Sequence, residues 1–209
     1  MMEAGAKGII IECVNPDTSA AIADAAKEKG AAVFACAITL NSDSVFASGL
    51  NDCYDLGEST GKYAKEYFDE NFSKNETINM AIISYDEQDM TGSDARIQGF
   101  PNQLSDYDIH IVGRQDGQVA DKAYTVVFAV DCSEQLVEIM KSDKNILQGT
   151  TAQAPYTLGT YAVKTVYDYV VNGVEPAEKD FHADCIQLTR KDLAKVDEWL
   201  AIKNENATK

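Results

Sequence analysis

The sequence predicts a doubly wound α/β fold with parallel sheets, and three observations predict it. Short apolar runs alternate with longer amphipathic stretches along the chain. The runs are continuous rather than alternating in polarity, as strands buried on both faces are. Gly, Asn or Pro punctuates many of the junctions, where helices start and stop. Repeated strand–helix units of this kind build a parallel sheet with helices on both faces, because the crossover is right-handed.

Gly8-Ile9-Ile10-Ile11 is the first such run. Asn15-Pro16-Asp17-Thr18 then offers helix-start chemistry, and the helix over 19–29 sets Ala20, Ile22, Ala23 and Ala26 on one side before Gly30 closes it. Residues 31–37 form the next strand and 45–50 a short one, followed by a helix over 56–72. A strand over 78–84 leads to a helix over 93–104, and strands follow at 109–112 and 126–130. A helix at 133–142 precedes a strand at 147–152. The longest helix, 155–171, ends at Asn172-Gly173, and a strand at 184–188 precedes a last helix over 190–200.

Composition narrows the function. The 209 residues are 45% apolar and 25% charged, ordinary for a globular chain. Lys and Arg total 18 against 34 Asp and Glu, a formal net charge of −16. A surface that acidic repels phosphate backbones and anionic lipid, which disfavours nucleic-acid or membrane-surface binding. Cys13, Cys36, Cys53, Cys132 and Cys185 show no C-x-x-C spacing, so neither a disulfide framework nor a zinc site is expected. No run approaches the ~20 apolar residues that span a bilayer, and the first residues do not read as an export signal.

Doubly wound sheets bind ligands at the carboxyl ends of their strands, which singles out residues 12–17, 38–43, 51–52, 85–96, 114–121, 131 and 153. No catalytic constellation assembles there. His110 and His182 are isolated, and no phosphate loop, dinucleotide fingerprint or nucleophile elbow occurs. Asp86, Glu87 and Asp89 lack the Gly and terminal Glu of a calcium loop and read as a solvated acidic turn. What the strand ends do hold is planar hydrogen-bonding groups: Arg96, Asp131, Gln153, Asn15, Asn41 and Asn51. Such groups pair with adjacent hydroxyls of a neutral polyol. The bland readings are that Arg96 pairs with an acid on its own helix and that Asp131 caps the helix at 133. No cofactor or metal is expected, and the chain does not read as an enzyme.

Ala6-Lys7-Gly8-Ile9-Ile10-Ile11 with Asn15-Pro16-Asp17 and Lys29-Gly30 resembles the first lobe of the ribose-type (type I) periplasmic sugar-binding proteins of ABC transporters. Gly49-Leu50-Asn51-Asp52 with Gly57, Ala95-Arg96-Ile97-Gln98-Gly99-Phe100, Asp116-Gly117, Asp121-Lys122-Ala123-Tyr124, Val130-Asp131, and Thr151-Ala152-Gln153-Ala154-Pro155 with Gly159 are similar to further family segments in the same order. The resemblance implies two lobes, 1–75 with 154–182 and 76–153 with 183–209. It implies a sugar-like ligand held between them by Arg96, Asp131 and Gln153; Asn15 and Asn41, from the strand-end set, are expected as further ligand-binding residues. It also implies an extracytoplasmic location, a monomer, and an ABC permease as partner.

Against the family pattern, a first strand–helix block and a central block before residue 126 have no counterpart. Ala37 and Ile38 stand where relatives carry an Asp-Arg-like pair, and Gln118 or Val119 replaces a ring-stacking aromatic. An incomplete two-lobed fold with impaired binding is the expectation. Competing readings are the effector-sensing domain of a LacI-like regulator, a small flavodoxin-like enzyme, and a remnant that binds nothing.

Overall fold

A computed structural model of the chain describes residues 4–12, 15–37, 40, 42–84, 86–116 and 126–207. The elements run β1 (Gly8–Glu12), α1 (Pro16–Glu28), β2 (Ala32–Cys36), β3 (Val45–Leu50), α2 (Cys53–Asn71), β4 (Thr77–Ser84), α3 (Asp86–Asn102) and β5 (Asp108–Asp116). They continue with β6 (Val127–Val130), α4 (Glu134–Lys141), β7 (Leu147–Ala152), α5 (Pro155–Asn172), β8 (Asp180–His182), β9 (Ile186–Thr189) and α6 (Leu193–Ala207). They fall into two compact units, Met1–Asn51 with Ala154–Asp184 and Asp52–Gln153 with Cys185–Lys209. No described helix is long and apolar enough to cross a membrane.

Unit 1 is a parallel four-stranded sheet in the order β1-β2-β3-β8. The continuous apolar character of β2 has a direct cause. Val33 and Ala35 pack with Ile9, Ala23, Ala26 and Leu40, whereas Phe34 points the other way into a cluster with Ala47 and Ala162. Helices therefore cover both faces, α1 on one and α5 on the other. Asn15 caps α1 by accepting the Thr18 N–H at 2.9 Å, with Pro16 in its first turn. The left-handed Gly30 (φ +78°) turns the chain into β2.

Unit 2 carries a parallel pair, β4–β5, and a three-stranded sheet, β6-β7-β9; among the described residues no strand pairs with both. β9 runs antiparallel to β7, a departure from the all-parallel expectation that follows from its place after the return through unit 1. Helices α2 and α3 pack at backbone distance through Gly57, Gly61 and Gly99. A Cβ on Gly57 would sit 2.0 Å from the Arg96 carbonyl oxygen, one on Gly99 2.3 Å from Tyr54 O, and one on Gly61 2.4 Å from Phe100 O. Ala64, Phe68, Ile78, Leu104 and Tyr107 form one core cluster, and Val137, Met140, Leu147, Leu188 and Val196 another.

The structure corrects several boundaries. The first unit ends at Asn51 rather than 75, because α2 packs on α3, β6 and β7 and so belongs to unit 2. Helix α3 starts at Asp86 rather than 93; its first turns lack an apolar period, and Arg114 from β5 anchors Asp86 instead. Strand β8 was not expected from sequence, since three residues carry no usable pattern. The last strand spans Ile186–Thr189, and the last helix starts at Leu193 and runs to Ala207.

The glycine-mediated contact sets a prediction. Gly57→Ala adds helix propensity but forces α2 and α3 apart, and should lower stability by about 1–3 kcal/mol. Gly113→Ala, whose added Cβ meets nothing within 4 Å, should change it by less than about 0.5 kcal/mol. Urea unfolding of the two variants checks both values.

Candidate functional site

Strands β6 and β7 run parallel with Val130 opposite Thr151. The next residue past β6, Asp131, and the next past β7, Gln153, therefore emerge at the same end of the sheet. Gln153 Nε2 donates to Asp131 Oδ1 at 2.5 Å. Arg96, on α3, brings Nη1 to 4.0 Å from Asp131 Oδ2. The three residues come from separate segments and meet around one carboxylate, which keeps accepting capacity beyond these two contacts.

Neither bland reading of these residues holds. Ser133, not Asp131, caps α4, its hydroxyl accepting the Leu136 N–H at 3.3 Å. Among the described residues the ion-pair partner of Arg96 is Asp131 at a strand end rather than an acid of its own helix. Arg96 Nε is buried and has no hydrogen-bond partner among the described residues. Buried donors are nearly always satisfied, so an orphaned guanidinium N–H is an exception that calls for an explanation.

The backbone beneath the carboxylate is held in a conformation that L-residues rarely adopt. Asp131 has φ +70°, in the left-handed region that Asp tolerates better than most side chains. Its N–H donates to Thr151 O at 2.8 Å, and its carbonyl accepts the Thr150 hydroxyl. Thr60 ties α2 to the same strands: its hydroxyl lies 2.6 Å from that of Thr151 and donates to Leu56 O at 3.0 Å. Strain of this kind persists only where surrounding bonds fix it, and it gathers at functional sites.

The remaining expected residues do other things or cannot be placed. Asn15 uses its side-chain oxygen as the α1 cap. Asn51 is buried and joins three backbone segments, its Nδ2 donating to Ala183 O at 2.7 Å and its Oδ1 accepting the Ala154 N–H at 3.0 Å. It is scaffold. Asn41 lies outside the described residues, as do Gln118 and Val119.

A second polar cluster escaped sequence reading. Arg114 donates to both oxygens of Asp86, at 3.1 and 2.5 Å, and to Asp94 at 2.7 Å, while the Ser84 hydroxyl bonds Asp86 at 2.8 Å. The hydrogen bonds from Arg114 and Ser84 hold the Asp86 carboxyl below the usual carboxylate range. Of the supposed acidic turn, Asp86 is thus paired with Arg114. No described group of three metal-capable side chains gathers there or elsewhere. Only the β4–β5 register, which sets Ile82 opposite Arg114, brings these residues together, and no local sequence signal announces it. Cys132, beside Asp131, is no candidate nucleophile: burial pushes its thiol up to about 11, so it stays protonated at neutral pH.

No protein-family model matches the chain, and no curated protein matches it. Solved structures do. An ABC transporter solute-binding protein from Bacillus halodurans C-125 with bound myo-inositol superimposes with a TM-score of 0.75 at 15% identity, over 94% of this chain and 79% of that one. A solute-binding protein from Burkholderia graminis C4D1M in complex with D-arabinose gives 0.74 at 16%, over 92% and 78%. A periplasmic solute-binding protein from Actinobacillus succinogenes 130z with bound D-allose gives 0.74 at 14%, over 93% and 82%. The chain therefore has the type I periplasmic-binding-protein fold, short of part of those chains' length.

The left-handed backbone at Asp131 yields a stability prediction. Asp131→Ala removes the carboxylate and keeps a Cβ at φ +70°, whereas Asp131→Gly removes both. The glycine variant should be the more stable of the two by about 1 kcal/mol, read from paired urea unfolding curves.

Proposed function

We propose that the chain is a solute-binding receptor of the ABC-transporter class, recognising a sugar or a similar polyhydroxylated small molecule. The observation that carries this reading is the meeting of Arg96, Asp131 and Gln153 at the strand ends of unit 2. A carboxylate accepts from two vicinal hydroxyls, while a guanidinium and an amide donate to hydroxyl oxygens. The three together therefore match both the donor and the acceptor side of a neutral polyol.

Solved proteins of the same fold hold D-arabinose, myo-inositol and D-allose, all of that chemistry. Within this reading, Asp131 and Gln153 read the hydroxyl pattern, and Arg96 both supports the carboxylate and donates to the ligand. The same reading makes an ABC permease the protein partner and the extracytoplasmic side the place of action.

The test is thermal unfolding against pentoses, hexoses and cyclitols. A ligand at 100 times its Kd should add about 2.7 kcal/mol to the native state, a rise in Tm of roughly 5–10 °C for a chain of this size. Asp131→Asn keeps a side chain that tolerates the left-handed backbone, and should weaken the responding ligand by roughly 10- to 100-fold, as loss of a charged hydrogen-bond partner does. Gln153→Ala should weaken it similarly. A flat response across the panel would overturn the proposal.

A further inference from the structure

Two cysteines stand where the chain enters unit 2 from β3 and again from β8. Cys53 follows Asp52 at the head of α2, and Cys185 immediately precedes β9. Both belong to the same compact unit. The strands that lead to them, β3 and β8, run parallel with Leu50 opposite His182. Their pairing continues past the ends of the strands. Ala183 donates its N–H to Leu50 O at 2.9 Å, and Asn51 Nδ2 donates to Ala183 O at 2.7 Å. The next residue, Asp52, is still extended, with φ −65° and ψ 126°. Counting on in that register sets Asp52 beside Asp184 and Cys53 beside Cys185.

Burial and a second bridge agree with this register. Asn51 and Ala183 are both buried, and Cys53 and Cys185 are both half-buried. Beyond the cysteines, Gln187 Nε2 donates to Ser59 O at 3.1 Å, so the two segments remain side by side further along. The pair thus lies between two points at which the same segments are hydrogen-bonded. Paired strands run about 4.8 Å apart, and in-register partners point to the same face. A disulfide spans Cα atoms about 4.4–6.8 Å apart, a range that includes this spacing.

We propose that Cys53 and Cys185 are a disulfide-forming pair, a modification site that ties the first residue of α2 to the segment opening β9. Formation is a two-electron exchange with a small-molecule disulfide. The thiolate of one cysteine attacks that disulfide, expels one thiolate and leaves a mixed disulfide on the protein. The other cysteine, as thiolate, then attacks the protein-bound sulfur and expels the second half. The two protein thiols are oxidised, the small disulfide is reduced to two thiols, and the two cysteine protons end on the expelled sulfurs. Cys36 and Cys132 are placed differently: Cys36 lies on β2 in unit 1, and burial keeps the Cys132 thiol protonated.

No local spacing announces the pair, because the loop it closes spans residues 53–185 and only the β3–β8 register brings its ends together. A loop that long makes the cross-link costly to the unfolded chain, and so stabilising. It also pins the first turn of α2, the helix whose Gly57 backbone lies against Arg96. Nothing in the pairing depends on which ligand the chain binds.

The full chain, first reduced and then equilibrated with oxidised and reduced glutathione, should form this bond. Cleavage before aspartates releases residues 52–54 and 184–191 as peptides clear of Cys36. Mass spectrometry without reductant should find them joined, two hydrogens lighter than the separate peptides, and a phosphine reductant should part them. The oxidised chain should unfold at a midpoint roughly 5–10 °C above the reduced one. Cys53→Ser and Cys185→Ser should each remove that difference, while Cys36→Ser should leave it and the joined peptide intact. The joined peptide is read on the parent chain, so a poorly folding serine variant does not obscure it. Peptides that emerge unjoined, carry only glutathione, or join other cysteines overturn the proposal. So does a serine variant at 53 or 185 that keeps the full difference in midpoint.

Discussion

At the centre of unit 2, two helices touch with no side chain between them, and the position of Arg96 follows from that contact. The Gly57 backbone lies directly against the Arg96 carbonyl, while Gly99 of α3 lies against Tyr54 and Glu58 of α2. A methyl group at either glycine would occupy space already filled by main-chain atoms, which cannot rotate away as a side-chain tip can. The helices are consequently locked in register. Arg96 reaches Asp131 because α3 can come no nearer and has no room to slide.

The other half of the site is fixed by strand geometry. Parallel pairing of β6 and β7 delivers Asp131 and Gln153 to the same sheet end, and the left-handed turn at Asp131 sends the chain on toward α4 while its carboxylate meets Gln153. Thr60, Thr150 and Thr151 make the polar ties around that turn. Placing hydroxyls in a buried position costs free energy unless each is bonded, and here each has a partner. The strain at Asp131 is thereby held by bonds on both sides, and the carboxylate is held in place.

Parallel sheets also explain what the fold leaves uncovered. Such sheets are stable when both faces and both edges are closed. In unit 1, α1 and α5 close the faces, and among the described residues β1 pairs with β2 alone. In unit 2 no described strand joins the β4–β5 pair to β6-β7-β9, and Ile83 and Val112 are exposed.

Much of this was legible in the residues themselves. Continuous apolar runs such as Gly8-Ile9-Ile10-Ile11 marked doubly covered strands, Asn15-Pro16 and Gly30 marked the ends of α1, and strand-end polarity singled out Arg96, Asp131 and Gln153. Those signals are local, arising from burial period, capping and backbone freedom within a few residues. The pairing of Arg114 with Asp86, the scaffold use of Asn51, the membership of α2 in the second unit and the reversed direction of β9 were decided only by tertiary structure. Each depends on which distant segment lies alongside, through strand register, helix contact and the return of the chain from one unit to the other. The identity of a single residue and its near neighbours carries no information about that distance.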